Sequence, residues 1–145
     1  MAVPSPIKMR VMCDSQKAKI QTYAVALGQA FNCSSDKVPP AYPCEKERLV
    51  IIVASLKGQP SDQLRRFCME LTPARAQNVL LVIDNEKEQA GIEALKNTLR
   101  DAGTNVIDDI YYVKTGLFSG AKISLDERMA IVNWAKKIIE KLKDN

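Results

Sequence analysis

Two uninterrupted apolar stretches, Leu49–Ala54 and Val79–Ile83, constrain the fold of this chain more than any other feature of it. A strand with one face in water alternates apolar and polar residues. A continuous apolar run is instead typical of a parallel strand that is covered on both faces. Each stretch is therefore predicted to be a central strand of a parallel sheet with helices on both sides.

Further strands flank these two in a regular alternation with helices. Ile7–Cys13 predicts the first strand, and Val106–Val113 predicts the last. The proline-rich stretch 32–48 leaves room for only a short second strand at an edge of the sheet, because proline is tolerated at edges and not in central strands. This order predicts one doubly wound α/β domain that spans residues 1–145.

Four helices are predicted between the strands from the spacing of apolar residues and from capping residues. Ser15 and Ser61 are the expected N-caps of the first two helices, and Thr72-Pro73 is expected to end the second. Gly103 is the expected left-handed C-cap of the third, and Ser124–Glu127 is a capping box for the fourth. The predicted buried faces are Ile20, Ala24, Leu27 and Phe31; Leu64, Phe67, Cys68 and Leu71; Ile92, Leu95, Leu99 and Ala102; and Leu125, Met129, Val132, Ala135, Ile138 and Leu142.

Composition excludes several classes of function. The chain contains no histidine, which removes Ser-His-Asp and Cys-His catalysis and the commonest metal ligand. We expect no transmembrane segment, because the longest apolar run is six residues and a bilayer requires roughly 20. The N-terminal residues do not form a secretory signal pattern, so a cytoplasmic location is expected.

Charge and cysteine content point to no particular partner. The 21 basic and 17 acidic residues give a net charge of +4, and the lysines of the last helix are typical of a solvated face, so nucleic-acid binding is predicted to be unlikely. No CxxC pair is present, and Cys13 and Cys68 are predicted to be core residues. Cys33 and Cys44 lie in a loop-like stretch, where a redox role would require a depressed thiol pKa.

Ligands of open parallel sheets bind outside the carboxyl ends of the strands, where the strand order reverses. Three loops are therefore candidates, namely Asp14–Lys19, Ser55–Pro60 and Asp84–Gln89. The first leads directly into a helix, whose N-terminal N–H groups and partial positive charge favour an anion such as phosphate. The positive charges of Lys17 and Lys19 would strengthen that preference for an anion.

The same loops resemble those of the flavodoxin-like family over nearly the whole chain. Residues 54–61, Ala-Ser-Leu-Lys-Gly-Gln-Pro-Ser, look like the family's third-strand loop, and residues 13–20 occupy the place of its phosphate loop. Phe118–Lys122 is similar to the phenylalanine-glycine segment of flavodoxin-family oxidoreductases such as the flavodoxin-like protoporphyrinogen oxidases. The resemblance implies a three-layer fold with a five-stranded parallel sheet in the order 2-1-3-4-5.

It also implies an FMN-binding electron-transfer protein or oxidoreductase-associated domain, with a redox protein as its partner. No residue is predicted to be catalytic or to bind a metal. The predicted cofactor-binding residues are Ser15, Gln16, Lys17, Ala18, Lys19, Ser55, Leu56, Lys57, Gly58, Gln59, Asp84 and Asn85.

The alternative hypothesis is a flavodoxin-like binding or regulatory module that has lost flavin. Lys17, Ala18 and Ile20 stand where the family's phosphate loop has Thr, Gly and Thr. Leu56 and Lys57 stand where an aromatic residue usually stacks on the flavin, which leaves Tyr42 and Phe118 as distant aromatic candidates.

Two other classes are less well supported. A phospho-receiver domain would explain Asp14 and Lys114 at strand ends, but the central strand ends at Ala54-Ser55 without an acceptor aspartate. A hydrolase or transferase would need a nucleophile and base, and Asp84 and Glu86 are equally explained as turn and cap residues. An exposed sheet edge at the second strand makes a second copy of the chain a candidate partner.

Overall fold

The computed structural model describes residues 6–84, 87–115 and 120–143. These residues form five strands and four helices. They are β1 (Met9–Asp14), α1 (Ala18–Phe31), β2 (Ser35–Lys37), β3 (Leu49–Ser55), α2 (Asp62–Met69), β4 (Asn78–Asp84), α3 (Gln89–Ala102), β5 (Asn105–Val113) and α4 (Leu125–Lys143).

All four strand pairings are parallel, and the sheet order is β2-β1-β3-β4-β5. This confirms the predicted doubly wound, flavodoxin-like α/β fold, including the short second strand at the edge. In the register of the central strands, Val53 lies between Cys13 of β1 and Val82 of β4. The carboxyl ends of the strands consequently meet along one edge of the sheet.

Both faces of the central strands are buried, as their apolar sequences predict. Every residue from Leu49 to Ala54, and from Val79 to Ile83, is fully shielded from solvent. One face of the sheet packs on α2 and α3, through residues such as Leu64 and Leu95. The other face packs on α1 and α4, through residues such as Leu27 and Ile131, so that three layers result.

The proline-rich segment between β2 and β3 is fastened to the sheet by Arg10. The guanidinium donates from Nη1 to the carbonyl oxygen of Tyr42 at 2.9 Å and from Nη2 to Oδ2 of Asp36 at 2.8 Å. Two residues of this segment, Val38 and Cys44, are buried. One charged side chain of a strand thus holds a stretch that the prolines prevent from joining the sheet.

Three of the predicted helix ends are confirmed. Ser61 Oγ accepts the Leu64 N–H at 3.1 Å, and Gly103 ends α3 at a φ of 108°. In the capping box of α4, the N–H of Ser124 donates to Oε1 of Glu127 and the N–H of Glu127 donates to Oγ of Ser124, at 2.9 and 3.0 Å. These side chains satisfy backbone groups that a helix end leaves without partners.

Ser15 as the N-cap of the first helix was a wrong prediction. The helix begins at Ala18, its N-cap is Lys17, and no side chain caps it. The hydroxyl of Ser15 instead accepts the N–H of Lys17 and contacts Ser55 on the neighbouring strand, so it forms a turn ahead of the helix. A serine near a helix start can cap the helix or form a turn ahead of it. Here its contact with Ser55 on the adjacent strand favours the turn.

The buried stripe of α4 and the end of α2 also differ from the predictions. Leu125 and Met129 are exposed, whereas Ile131 and Ile139 are buried beside the expected Ala135 and Ile138. α2 ends at Met69, three residues before Thr72, and a turn brings Leu71 into the core. Across the described residues, no helix combines the length and apolar character needed to cross a membrane.

Gly58 and Gly91 allow the loop after β3 to approach α3 closely. Gly58 has a φ of 71°, and its N–H donates to Oε2 of Glu88 at 2.9 Å. A Cβ atom on Gly91 would lie 1.9 Å from the carbonyl oxygen of Gly58, far inside van der Waals contact. Gly91 therefore sets the position of a loop that lies at the carboxyl edge of the sheet.

We expect Gly91→Ala to destabilise the fold by about 1–3 kcal/mol, because the loop or the helix must move to relieve the overlap. Thermal unfolding monitored by circular dichroism measures this change. Gly120→Ala is the control, since a Cβ at Gly120 would meet no atom within 4 Å. Alanine is the better helix former by about 1 kcal/mol, so a stabilised Gly91→Ala variant would contradict the close approach.

Candidate ligand-binding cleft

A cleft of about 570 Å³ opens at the carboxyl ends of β1 and β3. Successive strands are added on one side of β1 as far as β2 and on its other side from β3 onwards, so the strand order reverses between β1 and β3. This is the position at which open α/β sheets hold their ligands. Of the predicted residues, the cleft is lined by Ser15, Gln16, Lys17, Ser55, Lys57 and Gln59; Asp14, Ser61, Asp62 and Gln63 complete it.

The buried carboxylate of Asp84 organises the polar groups beside this cleft. Its Oδ2 accepts the Lys17 ammonium at 2.6 Å and the Ser55 hydroxyl at 3.0 Å. Its Oδ1 accepts the hydroxyl of Thr115 at 3.2 Å. The Asp84 side chain is only 4 % exposed, whereas that of Lys17 is 48 % exposed, so the pair is half open to solvent. Asp84 thereby ties β4 to the end of β3 and to the loops that follow β1 and β5.

The hydroxyl groups beside Asp84 form a chain of hydrogen bonds in which each donor points towards the carboxylate. Ser55 donates its only hydroxyl proton to Asp84, so in the 2.7 Å contact between Ser15 Oγ and Ser55 Oγ the donor is Ser15. Ser15 in turn accepts the N–H of Lys17 at 3.0 Å. The orientation of each hydroxyl is therefore set by the carboxylate at the end of the chain.

A hydrogen bond between two lining residues bounds the cleft on the side of α2. Oδ2 of Asp14 accepts the hydroxyl of Ser61 at 2.9 Å, and the same hydroxyl oxygen caps α2. The end of β1 is thus linked directly to the first turn of α2. This hydrogen bond connects the two sides of the cleft.

The start of α1 supplies the feature most suited to an anion. Three residues, Ser15, Gln16 and Lys17, connect β1 to α1, and no acidic residue stands in the first turn of that helix. The first N–H groups of a helix have no intrahelical acceptors and carry a partial positive charge. Lys17, the N-cap residue of α1, lines the cleft, so this helix begins at the wall of the cleft.

The predicted binding residues do not all come together at the cleft. Leu56 is buried in the core that packs against α2 and α3, and the N–H of Gly58 donates to the carboxylate of Glu88. Lys19 extends to Glu127 of α4, with 2.9 Å between Nζ and Oε2. Ala18 is exposed at the start of α1. Asn85, Phe118 and Ser119 lie outside the described residues.

Thr115 and Glu127 are the site residues that sequence reasoning missed. Thr115 lies two residues after the end of the last strand and so belongs to the carboxyl edge of the sheet, which was the available signal. Glu127 was recognised only as part of a capping box. Its contact with Lys19 depends on how α1 and α4 pack, which no local pattern encodes.

Burial keeps the cysteine thiols protonated. It raises the pKa of Cys13 and of Cys33 to about 11 and that of Cys68 to about 12. Burial also raises the pKa of Cys44, although the cations of Arg10 and Arg75 oppose this. Since the thiolate is the reactive form, this environment is opposite to the one a redox-active cysteine requires.

The chain thus has a doubly wound α/β fold of flavodoxin-like topology, with a polar cleft at the switch point of its sheet. No protein-family model matches the sequence, and no curated protein matches it either. Within the described ranges, no group of three histidine, cysteine, aspartate or glutamate side chains is arranged to hold a metal ion.

We expect Lys17→Met to destabilise the protein by about 1–2 kcal/mol, because it leaves the buried Asp84 carboxylate without its cation. The cost is below that of a fully buried pair because Lys17 is half exposed. Chemical denaturation measures it. Lys57→Met, which removes the same charge from an exposed position, is the control, and adding Asp84→Asn to Lys17→Met should restore part of the loss. Equal effects of the two lysine variants would contradict this role of Lys17.

Glu127 should make stability depend on acid pH. The N–H of Ser124 and, next, the ammonium of Lys19 lower its pKa from 4.5 to about 2. A carboxyl whose pKa is depressed by folding stabilises the native state above its ordinary pKa and loses that contribution as the pH falls towards the folded value. Glu127→Gln should therefore be less stable than the wild type at neutral pH, and the difference should disappear between about pH 4.5 and 2. Thermal unfolding across that range tests this, and a difference that is independent of pH would refute it.

Proposed function

We propose that this chain is an FMN-binding, flavodoxin-like electron-transfer or oxidoreductase-associated protein, and that the cleft between β1 and β3 holds the phosphate of the cofactor. The observation that supports the proposal is the start of α1, which has no side-chain cap and whose N-cap residue Lys17 lines the cleft at the switch point together with Ser15 and Ser61. A phosphate takes such N–H and hydroxyl donors readily.

The residues present fit the phosphate end of FMN better than its ring. Ser15 and the amide side chains of Gln16 and Gln59 supply neutral donors, and Lys17 and Lys57 supply positive charge beside the carboxylates of Asp14 and Asp62. No aromatic side chain is among the residues described as lining the cleft, so the ring would lie against the backbone of residues 55–59. When bound, FMN supplies one- and two-electron transfer, and the residues of the chain bind and orient it.

The Asp14–Ser61 contact would keep the mouth of the cleft at one width as the ligand enters. Asp84 and Thr115 would hold the Lys17 ammonium at the end of β4. Because the hydroxyl of Ser15 is already oriented by Ser55, it must turn to donate to a phosphate oxygen. Binding therefore exchanges one internal hydrogen bond for one to the ligand.

A second candidate is a flavodoxin-like binding or regulatory module without flavin. It is favoured by the Lys17–Asp84 ion pair, which neutralises the cation nearest the predicted phosphate site. The short connection of three residues between β1 and α1 also supports it, since a loop of that length has little backbone with which to surround a phosphate. The two candidates share the fold and the cleft and differ in the ligand.

Titration of FMN with the purified full-length chain distinguishes them, because bound flavin changes its fluorescence. Under the FMN proposal, fluorescence changes in a saturable way, and Lys57→Glu weakens binding by about tenfold or more, since it reverses a charge at the cleft. Lys137→Glu, on the exposed face of α4, is the matched control and should bind as the wild type does. No change up to about 1 mM FMN would leave the flavin-free module as the function.

A further inference from the structure

The two edge strands of the sheet differ in how well they are protected from pairing with another chain. β2, at one edge, is three residues long, and Pro39, Pro40 and Pro43 follow it closely. A short strand next to prolines offers little backbone for pairing. β5, at the other edge, is nine residues long and has β4 on its inner side. The outer side of β5 is therefore the longer open edge of the described sheet.

The first half of β5 carries features by which proteins usually protect a sheet edge. Its register against β4 is irregular, because residues 106–110 of β5 lie against only residues 79–81 of β4. Asp108 and Asp109 are exposed in this bulge. A bulge and charged side chains both discourage an edge from pairing indiscriminately.

The second half of β5 is regular and carries large apolar side chains. Residues 110–113 pair one-to-one with residues 81–84 of β4. Ile110 and the two tyrosines that follow it are only half-buried. The ring of Tyr111 packs against that of Trp134 in α4, which is also half-buried, with 5.2 Å between the ring centroids. Tyrosine and tryptophan are the side chains that most often dominate the energy of a protein interface, so this half of the edge is suited to a partner.

The charges along β5 are complementary to those of a second, antiparallel β5. Asp108 and Asp109 lie in its first half, and the exposed Lys114 directly follows its last residue. If two copies of the strand run antiparallel, the acidic part of each meets the basic end of the other. Parallel pairing would place the acidic residues side by side, which is destabilising. The partner that fits this edge is therefore a second copy of the chain in the antiparallel direction.

One register satisfies both the charges and the two faces of the sheet. Side chains directly opposite each other in an antiparallel pair lie on the same face. Ile110 and Tyr112 face the core beneath α2 and α3, whereas Tyr111 faces the core beneath α1 and α4. A two-fold axis at Tyr111 sets this residue opposite its own copy, Ile110 opposite Tyr112, and Asp108 opposite Lys114. An axis one residue earlier would set each lysine opposite an apolar residue, and an axis two residues earlier would set an aspartate against its own copy.

We infer that β5 is the interface of a homodimer, in which two copies of this chain pair their β5 strands antiparallel about a two-fold axis at Tyr111. The two five-stranded sheets become one continuous sheet. Such an interface is isologous, so every ion pair and apolar contact across it occurs twice. The dimer does not depend on FMN binding, because the residues that line the cleft come from the segments around β1 and β3 and from the start of α2.

Sedimentation equilibrium of the full-length chain from about 1 to 200 μM tests the interface, and we expect the wild type to dimerise within this range. Asp108→Lys and Lys114→Asp should each weaken dimerisation by about fivefold or more, because each creates two pairs of like charge across the axis. The double variant Asp108→Lys/Lys114→Asp should recover most of the loss, since it restores both ion pairs with reversed signs. Glu45→Lys makes the same change of net charge as Asp108→Lys at an exposed position of the proline-rich segment, and should dimerise as the wild type does.

Tyr111→Lys places two ammonium groups at the axis and should leave the chain monomeric. Because Tyr111 also packs against Trp134, thermal unfolding checks that this variant folds, and the charge variants test the interface at exposed positions without disturbing that packing. A wild type that stays monomeric at the highest concentration would overturn the inference. A dimer that the β5 variants leave intact, or that Glu45→Lys weakens as much as Asp108→Lys does, would also overturn it. The antiparallel register is wrong if the losses of the two single charge variants add in the double variant.

Discussion

The burial of β3 and β4 on both faces is the constraint on which the rest of this structure depends. Two strands whose every apolar side chain is shielded need helices above and below, and helices can cover both faces only if the chain crosses over between parallel strands. Parallel strands bring all their carboxyl ends to one edge of the sheet. The loops that could hold a ligand are therefore neighbours in space, although up to about 100 residues separate them along the chain.

Asp84 fixes the arrangement of the polar side chains at that edge. A buried carboxylate is costly unless charges and hydrogen bonds satisfy it, and here the ammonium of Lys17 and the hydroxyls of Ser55 and Thr115 do so. The same contacts orient Ser15 and Ser55 and hold Lys17 at the wall of the cleft. One side chain thus stabilises the loop arrangement and determines which donors face a ligand.

Local patterns predicted those features whose causes are local. The capping box at Ser124, the cap at Ser61 and the turn at Gly103 were all correct, because each depends on backbone groups within a few residues. Ser15 was wrong as an N-cap because the hydroxyl of Ser55, 40 residues away, competes for it. The exposed Leu125 shows the same limit, since an apolar spacing does not reveal where the neighbouring helix ends.

The sequence by itself determined the class of fold, because continuous apolar strands and their alternation with amphipathic helices admit few arrangements. It also predicted that the segments after β1 and β3 meet at one edge of the sheet, where they line a cleft. Only the tertiary structure decided what those loops contain. Lys17 faces Asp84, Lys19 faces Glu127, and Leu56 turns into the core. Each of these outcomes is a contact between distant parts of the chain, and its energy depends on burial and distance, which exist only once the helices have packed on the sheet.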